Sequence, residues 1–115
     1  MPVAIKRVYE AASDDDGYRV LVDRIWPRGV SKAAAHLDEW DKEVAPSTEL
    51  REWFGHDPAK FDGFRERYLA ELHGNPDIAR LRELAESRTM TLVYSAHDEQ
   101  HNQAVVLREA LDGAI

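Results

Sequence analysis

The chain has 115 residues, of which 43% are hydrophobic and 32% charged, with a formal net charge of −7 and no cysteine. These values exclude a disordered chain, a disulfide framework, a thiolate nucleophile and a sulfur-ligated metal, and the acidic charge disfavours nucleic-acid binding. No segment approaches the ~20 apolar residues of a membrane span and the N-terminus has no signal-peptide core, so we expect a cytoplasmic protein with one domain over residues 1–115.

Two β-type segments open the chain, at residues 3–9 and 19–23. Both contain β-branched residues, and a polar turn with glycine at residues 13–17 separates them. Parallel strands need a connection of about a dozen residues or more, whereas this link is shorter and has no helical pattern. We therefore predict an antiparallel N-terminal hairpin.

Helical patterns occupy most of the remaining chain. Residues 30–46 have weak helical character, and Ser47, Asp57 and Asn75 are predicted N-caps of three further helices, the last two with proline at the first helical position. Residues 89–94 form a β-rich strand, and a terminal amphipathic helix follows.

This order of elements predicts an α/β fold: a small mixed sheet with an N-terminal hairpin, a helical crossover, a parallel strand and a C-terminal helix. If strands 19–23 and 89–94 share one sheet, the crossover makes them parallel and their carboxyl ends open on one edge. Ligands of open α/β sheets bind at that edge.

The loop after the second strand concentrates charged and aromatic residues at that edge. Arg24 and Arg28 could clamp a carboxylate or phosphate, with Asp23 as a base or metal ligand and Trp26 as a stacking wall. A purely structural alternative pairs Asp23 with an arginine and places Trp26 in the core.

Three residues elsewhere could join this site. Arg51, on the helix that Ser47 starts, could add to an anion site. His56 is a candidate acid or base because histidine titrates nearest neutral pH, although the adjacent Asp57 is already assigned as an N-cap. Ser95 directly follows the last strand, where it could contact an anion or only cap the next helix.

A second pair of histidines raises the question of a metal. His97 and His101 stand four residues apart with Asp98 between them, as zinc-ligating histidines do on one face of a helix. That geometry exists only if the helix begins at Ser95, because a start at Asp98 leaves His97 outside it. We favour the second alternative and predict no bound metal. Walker A and G-x-G-x-x-G motifs are absent from the sequence, so we predict no cofactor.

Three segments carry a resemblance to a known family: GYRVLVDRIWPRG at residues 17–29, FRERYLAEL at 64–72 and TLVYSA at 91–96. The most specific part is V-D-R-x-W-P-R-G. Together they resemble the YeaO-like bacterial family, numbered 488 among the domains of unknown function, nearly from end to end. The resemblance implies a small cytoplasmic α/β protein whose pattern includes Ser95 and Asn102 besides the loop residues.

Longer proteins that resemble this family differ at the last strand and helix. They carry a cysteine where this chain has Tyr94 and a Cys-His-Arg run at about residues 102–104. This chain departs from them at each of these positions. The resemblance therefore implies none of their thiol or metal chemistry for it.

We expect a protein that binds, or acts on, a small anionic molecule at the strand-end loop. The predicted ligand-binding residues are Arg24, Trp26, Arg28, Arg51, Ser95 and Asn102. Asp23 is the predicted base and His56 a second acid-base candidate, and alanine at Arg24 and Arg28 is expected to abolish binding without unfolding. The alternative is a non-catalytic protein-interaction or regulatory module in which Trp26 and the arginines contact a protein partner.

Overall fold

The computed structural model describes residues 3–114, so Met1, Pro2 and Ile115 lie outside the described residues. The strands are β1 Val3–Arg7, β2 Tyr18–Leu21, β3 Glu39–Trp40 and β4 Met90–Tyr94. The helices are α1 Lys32–Ala35, α2 Thr48–Phe54, α3 Phe61–His73, α4 Pro76–Ser87 and α5 Gln103–Glu109, with short helical turns at Asp14–Asp16, Pro58–Lys60 and Ala110–Ala114.

The sheet has the strand order β1-β4-β2-β3, and each neighbouring pair is parallel. The α/β class and the parallel relation of β2 and β4 are therefore confirmed. The predicted N-terminal hairpin is wrong, because β4 lies between β1 and β2 and pairs with both.

The connection over residues 8–17 explains this error. It returns along the sheet without a full helix and contains only the short turn Asp14–Asp16. Asp16, which is buried, forms ion pairs with Lys6 at 3.0 Å and with Arg19 at 2.6 Å, so the side chains of both strands hold the end of the link. At Gly17 the backbone has a φ of 64° and passes so close to Thr89 that a Cβ atom would lie 2.3 Å from its carbonyl oxygen.

The helix starts follow the predicted caps. The Ser47 side chain accepts a hydrogen bond from the Leu50 N–H, and Asp57 and Asn75 cap the next two segments in the same way. Residues 30–46 differ from the prediction because only α1 is helical, and β3 adds a strand there. Two residues are too few to show the alternation by which a strand is read from sequence.

Both faces of the sheet are covered. Alternate residues of β2 and β4 point to opposite sides of the sheet and pack into two different hydrophobic clusters. Val20 and Leu92 belong to the main core, formed with helices α2 to α5. Leu21 and Val93 belong to a smaller cluster, against which Trp26 packs. The loop after β2 thus lies over the end of the sheet. None of the helices in the described range is long and apolar enough to cross a membrane.

Candidate functional site

A cavity of about 390 Å³ opens at the carboxyl edge of the sheet, with walls from the loops after β2 and β4 and from α2, α3 and α5. This size is within the ~300–1,000 Å³ usual for small-molecule sites. Its lining includes seven of the eight predicted site residues: Asp23, Arg24, Trp26, Arg28, Arg51, His56 and Ser95. The cavity lies where the parallel strands were expected to place it.

Asp23 is the buried acid of this cavity, with 7% of its surface exposed. One carboxylate oxygen accepts hydrogen bonds from the Ser95 N–H at 3.1 Å and its hydroxyl at 2.5 Å, and the other accepts from Gln103 Nε2 at 2.5 Å. Burial raises the pKa of Asp23 above its ordinary value, while the bonds from Ser95 and Gln103 and the charge of Arg51 lower it. The carboxylate is fixed in place but has no ion-pair partner among residues 3–114.

Two polar residues of the lining were not predicted from the sequence, Glu52 and Gln103. Gln103 is the one that contacts Asp23. It is the first residue of α5, directly after the N-cap Asn102. One pointer to this position comes from the resemblance, because Gln103 lies in the segment at about residues 102–104 where the resemblance to the longer proteins fails. Nothing in the residue type itself marks a glutamine as the partner of an acid eighty positions earlier.

Arg24 has a structural task. Its Nε donates to the Pro46 carbonyl at 3.1 Å and one of its terminal nitrogens donates to the Ala45 carbonyl at 3.1 Å. These carbonyls directly precede Ser47, the N-cap of α2. Arg24 therefore holds the start of the helix that brings Arg51 to the cavity, and two of its donors are already used.

Arg51 lines the same cavity with a donor that has no acceptor. Its Nε is buried and forms no hydrogen bond within the described part of the chain. The remaining guanidinium contact is a long hydrogen bond of 3.4 Å to the Thr48 hydroxyl. A buried donor without a partner is uncommon and destabilising. The Nε of Arg82, which lies outside this cavity, is the other such atom among the described side chains.

Arg28 and Trp26 differ in how far they are committed to the fold. The exposed guanidinium of Arg28 makes no hydrogen bond or ion pair with any described residue. Trp26, by contrast, donates from its indole nitrogen to the Val30 carbonyl at 2.6 Å and packs edge-on against Trp40, with ring centroids 5.2 Å apart. Trp26 therefore forms a fixed wall, and Arg28 is a free cation at the rim.

His56 is exposed at the rim and has a left-handed backbone with a φ of 57°. Its ring centroid lies 6.2 Å from that of Phe54, and the adjacent Asp57 side chain caps the Ala59 N–H rather than pairing with the imidazole. The structure thus brings His56 to the cavity without an acid to orient it.

Asn102 is the predicted site residue that does not line the cavity. Its side chain is buried, accepts from the Val105 N–H at 3.1 Å and donates to the Asp98 carbonyl at 2.9 Å. It is the N-cap of α5, which also settles the histidine pair. α5 begins after both His97 and His101, so the two alternative start positions considered for this helix, Ser95 and Asp98, are both wrong. The two histidines therefore do not share a face of a helix.

The fold and the site together define a small α/β domain with a cavity of arginines, carboxylates and aromatic rings at the carboxyl edge of a parallel sheet. The chain belongs to the family described as the inactive DUF488-N3 subclade, which it matches over residues 2–115. This confirms the YeaO-like resemblance.

Individual relatives cover almost the whole chain. The uncharacterised protein YeaO of Escherichia coli is 48% identical over 112 residues, which are 96% of this chain and 97% of the relative. The uncharacterised proteins Rv3073c of Mycobacterium tuberculosis and Mb3100c of Mycobacterium bovis are each 46% identical over 111 residues, 96% of this chain and 94% of each relative. No solved structure matches the chain.

Proposed function

We propose that the protein binds a small anionic molecule in the cavity at the end of the sheet, without converting it. The observation that carries this proposal is the buried Nε of Arg51, a cationic donor without an acceptor among the described residues. Arg28 supplies a second cation at the rim with no partner of its own in the same range. An anion that contacts both would satisfy the buried donor and neutralise the local charge.

Binding without turnover fits the polar groups around the anion. Asp23 is held by three hydrogen bonds, and the His56 imidazole is paired with no acid of residues 3–114, because the adjacent Asp57 side chain caps the Ala59 N–H instead. The description of the subclade as inactive supports the same interpretation. The chain also has no cysteine that could act as a thiolate nucleophile.

Arg51→Gln tests this proposal. The protein is titrated with inorganic phosphate, sulfate, acetate and citrate, and binding is followed by thermal shift and calorimetry. We expect at least one of these anions to raise the melting temperature of the wild type and to lose at least tenfold in affinity in Arg51→Gln.

The matched control is Arg108→Gln, which removes the same charge from α5 outside the cavity. We expect it to bind as the wild type does. Equal loss in both variants would show that the effect depends only on net charge. Absence of binding by these four anions and by carboxylate-bearing amino acids alike would refute the proposal.

The second candidate function is a protein-interaction module. Two large apolar side chains are exposed beside the cavity mouth, Ile25 at 64% and Tyr9 at 49%, and the Tyr9 hydroxyl donates to the Arg28 carbonyl. Exposed apolar groups next to arginine are common in protein interfaces. Under this alternative, Ile25→Ser would abolish co-purification of a partner that Arg108→Gln retains, while anions would bind neither variant.

A further inference from the structure

The cavity contains two groups of opposite charge that do not neutralise each other. Asp23 is buried and receives only neutral donors, from Ser95 and Gln103. Arg51 is half-buried, and its buried Nε has no acceptor within residues 3–114. Buried charges in proteins are normally paired and buried donors normally hydrogen-bonded, so both groups lack a usual partner.

Arg51 and Asp23 share one cavity but do not form an ion pair in the described structure. Arg51 is close enough for its charge to lower the pKa of Asp23, against the effect of burial. A simple anion on Arg51 would satisfy the arginine but would add a second negative charge near the buried carboxylate. A ligand with a positive group on the Asp23 side avoids that repulsion.

Part of the remaining wall is apolar and aromatic. Phe54 lies one helical turn after Arg51, on the same side of α2, and stacks on Phe64 with ring centroids 4.3 Å apart. Both rings line the cavity together with the exposed Ile25. These side chains form an apolar surface that could contact an apolar substituent of a ligand whose charged groups face Arg51 and Asp23.

We infer that the ligand is a zwitterion of the amino-acid class, with its carboxylate on Arg51 and Arg28, its ammonium group on Asp23 and an apolar side chain against Phe54. This inference rests on the proposed function, because the carboxylate occupies the same anion site. Ser95 and Gln103 then act as positioning residues that keep the Asp23 carboxylate directed at the ammonium group. Glu52, an exposed carboxylate at the rim, is the competing partner for that group.

Two sets of matched compounds test this inference by calorimetry on the full chain. The first set is phenylalanine, 3-phenylpropanoate and 2-phenylethylamine, and the second is leucine, 4-methylpentanoate and 3-methylbutylamine. In each set the second compound lacks the ammonium group and the third lacks the carboxylate. We expect the amino acid of at least one set to bind at least tenfold more tightly than both of its partners.

Asp23→Asn identifies the group that recognises the ammonium. The asparagine keeps the shape of the side chain, and the Gln103 amide can rotate to present its oxygen to the new NH₂ group, so the fold is expected to persist. In this variant the amino acid should bind no more tightly than the acid that lacks the ammonium group. Glu52→Gln should keep the wild-type preference.

The outcomes separate this inference from the proposed function. If 3-phenylpropanoate, 4-methylpentanoate or a simple inorganic anion binds as tightly as the amino acids, the zwitterion is refuted and the anion site stands. If the preference is lost in Glu52→Gln rather than in Asp23→Asn, the assignment to Asp23 is refuted. If neither the simple anions nor the amino acids and their matched acids bind, both proposals fail.

Discussion

Arg24→Ala should weaken the fold rather than act only on ligand binding. The side chain donates to the carbonyls of Ala45 and Pro46, both of which are buried. A buried carbonyl that loses its donor costs about 1–3 kcal/mol. Arg24 is half-buried, so water can reach part of the space left by its side chain and bond to the two carbonyls. We therefore expect a loss of unfolding free energy near the low end for each hydrogen bond, about 2 kcal/mol in total. For a chain of this length, that corresponds to a fall of about 8 °C in Tm.

Urea unfolding followed by tryptophan fluorescence measures this loss. Arg28→Ala is the control, because its exposed guanidinium makes no hydrogen bond or ion pair with the described residues. The unfolding free energy of this variant should stay within about 0.5 kcal/mol of the wild type. Arg24→Lys should lie between them, since one ammonium group cannot reach both carbonyls as a planar guanidinium does. If Arg24→Ala and Arg28→Ala unfold at the same urea concentration, the structural role of Arg24 is refuted.

Three other predictions concern the stability of the fold. Gly17→Ala should lower the unfolding free energy by more than about 2 kcal/mol, because the new Cβ atom would lie 2.3 Å from the Thr89 carbonyl oxygen. Gly74→Ala is the control and should be nearly neutral in the same urea experiment, because its Cβ atom would have no described neighbour within 4 Å. Tyr68→Phe should cost about 1–3 kcal/mol, because the buried Tyr68 hydroxyl donates to a carbonyl of the segment before α2, and unchanged stability would contradict this. Burial, with the hydrogen bond and charge of Asp77, raises the pKa of Asp41 from 3.8 to about 6, so the folded protein holds this proton more tightly than the unfolded chain. The unfolding free energy should therefore decrease by about 2 kcal/mol as the pH rises from about 4 through 6, and urea unfolding over that range should show this decrease absent from Asp41→Asn.

The fold was predictable where the signal is local. The starts of three helical segments could be predicted from their N-caps, Ser47, Asp57 and Asn75, because an N-cap side chain bonds to the backbone two or three residues away. The partner of β1 was not predictable from such signals, because the choice between β2 and β4 depends on contacts far along the chain. The ion pairs of Asp16 with Lys6 and Arg19 take part in that choice, and no spacing rule reveals them.

The position of the cavity could be predicted from the sequence, but the contacts made by its individual side chains could not. The loop after β2 and Ser95 could be assigned to one edge because parallel strands end together. The direction of each side chain could not: Arg24 and Arg28 are four residues apart, yet Arg24 contacts the backbone before α2 and Arg28 faces solvent. Asn102 and Gln103 are adjacent, yet Asn102 caps a helix and Gln103 contacts Asp23. A difference of one residue at a helix start decides between these roles.

The unpaired charges of the cavity are difficult to explain by stability alone. A chain selected only to fold could place an apolar residue at Asp23 or let Arg51 reach its carboxylate, and either change would remove the cost of burying an unneutralised group. Instead, Ser95 and Gln103 hold the carboxylate in place, and Arg24 fixes the start of the helix that carries Arg51. The chain thus maintains two opposite charges at fixed positions with a space between them. Unpaired charges of this kind are expected at functional sites, and under the proposed function their missing partner is a ligand.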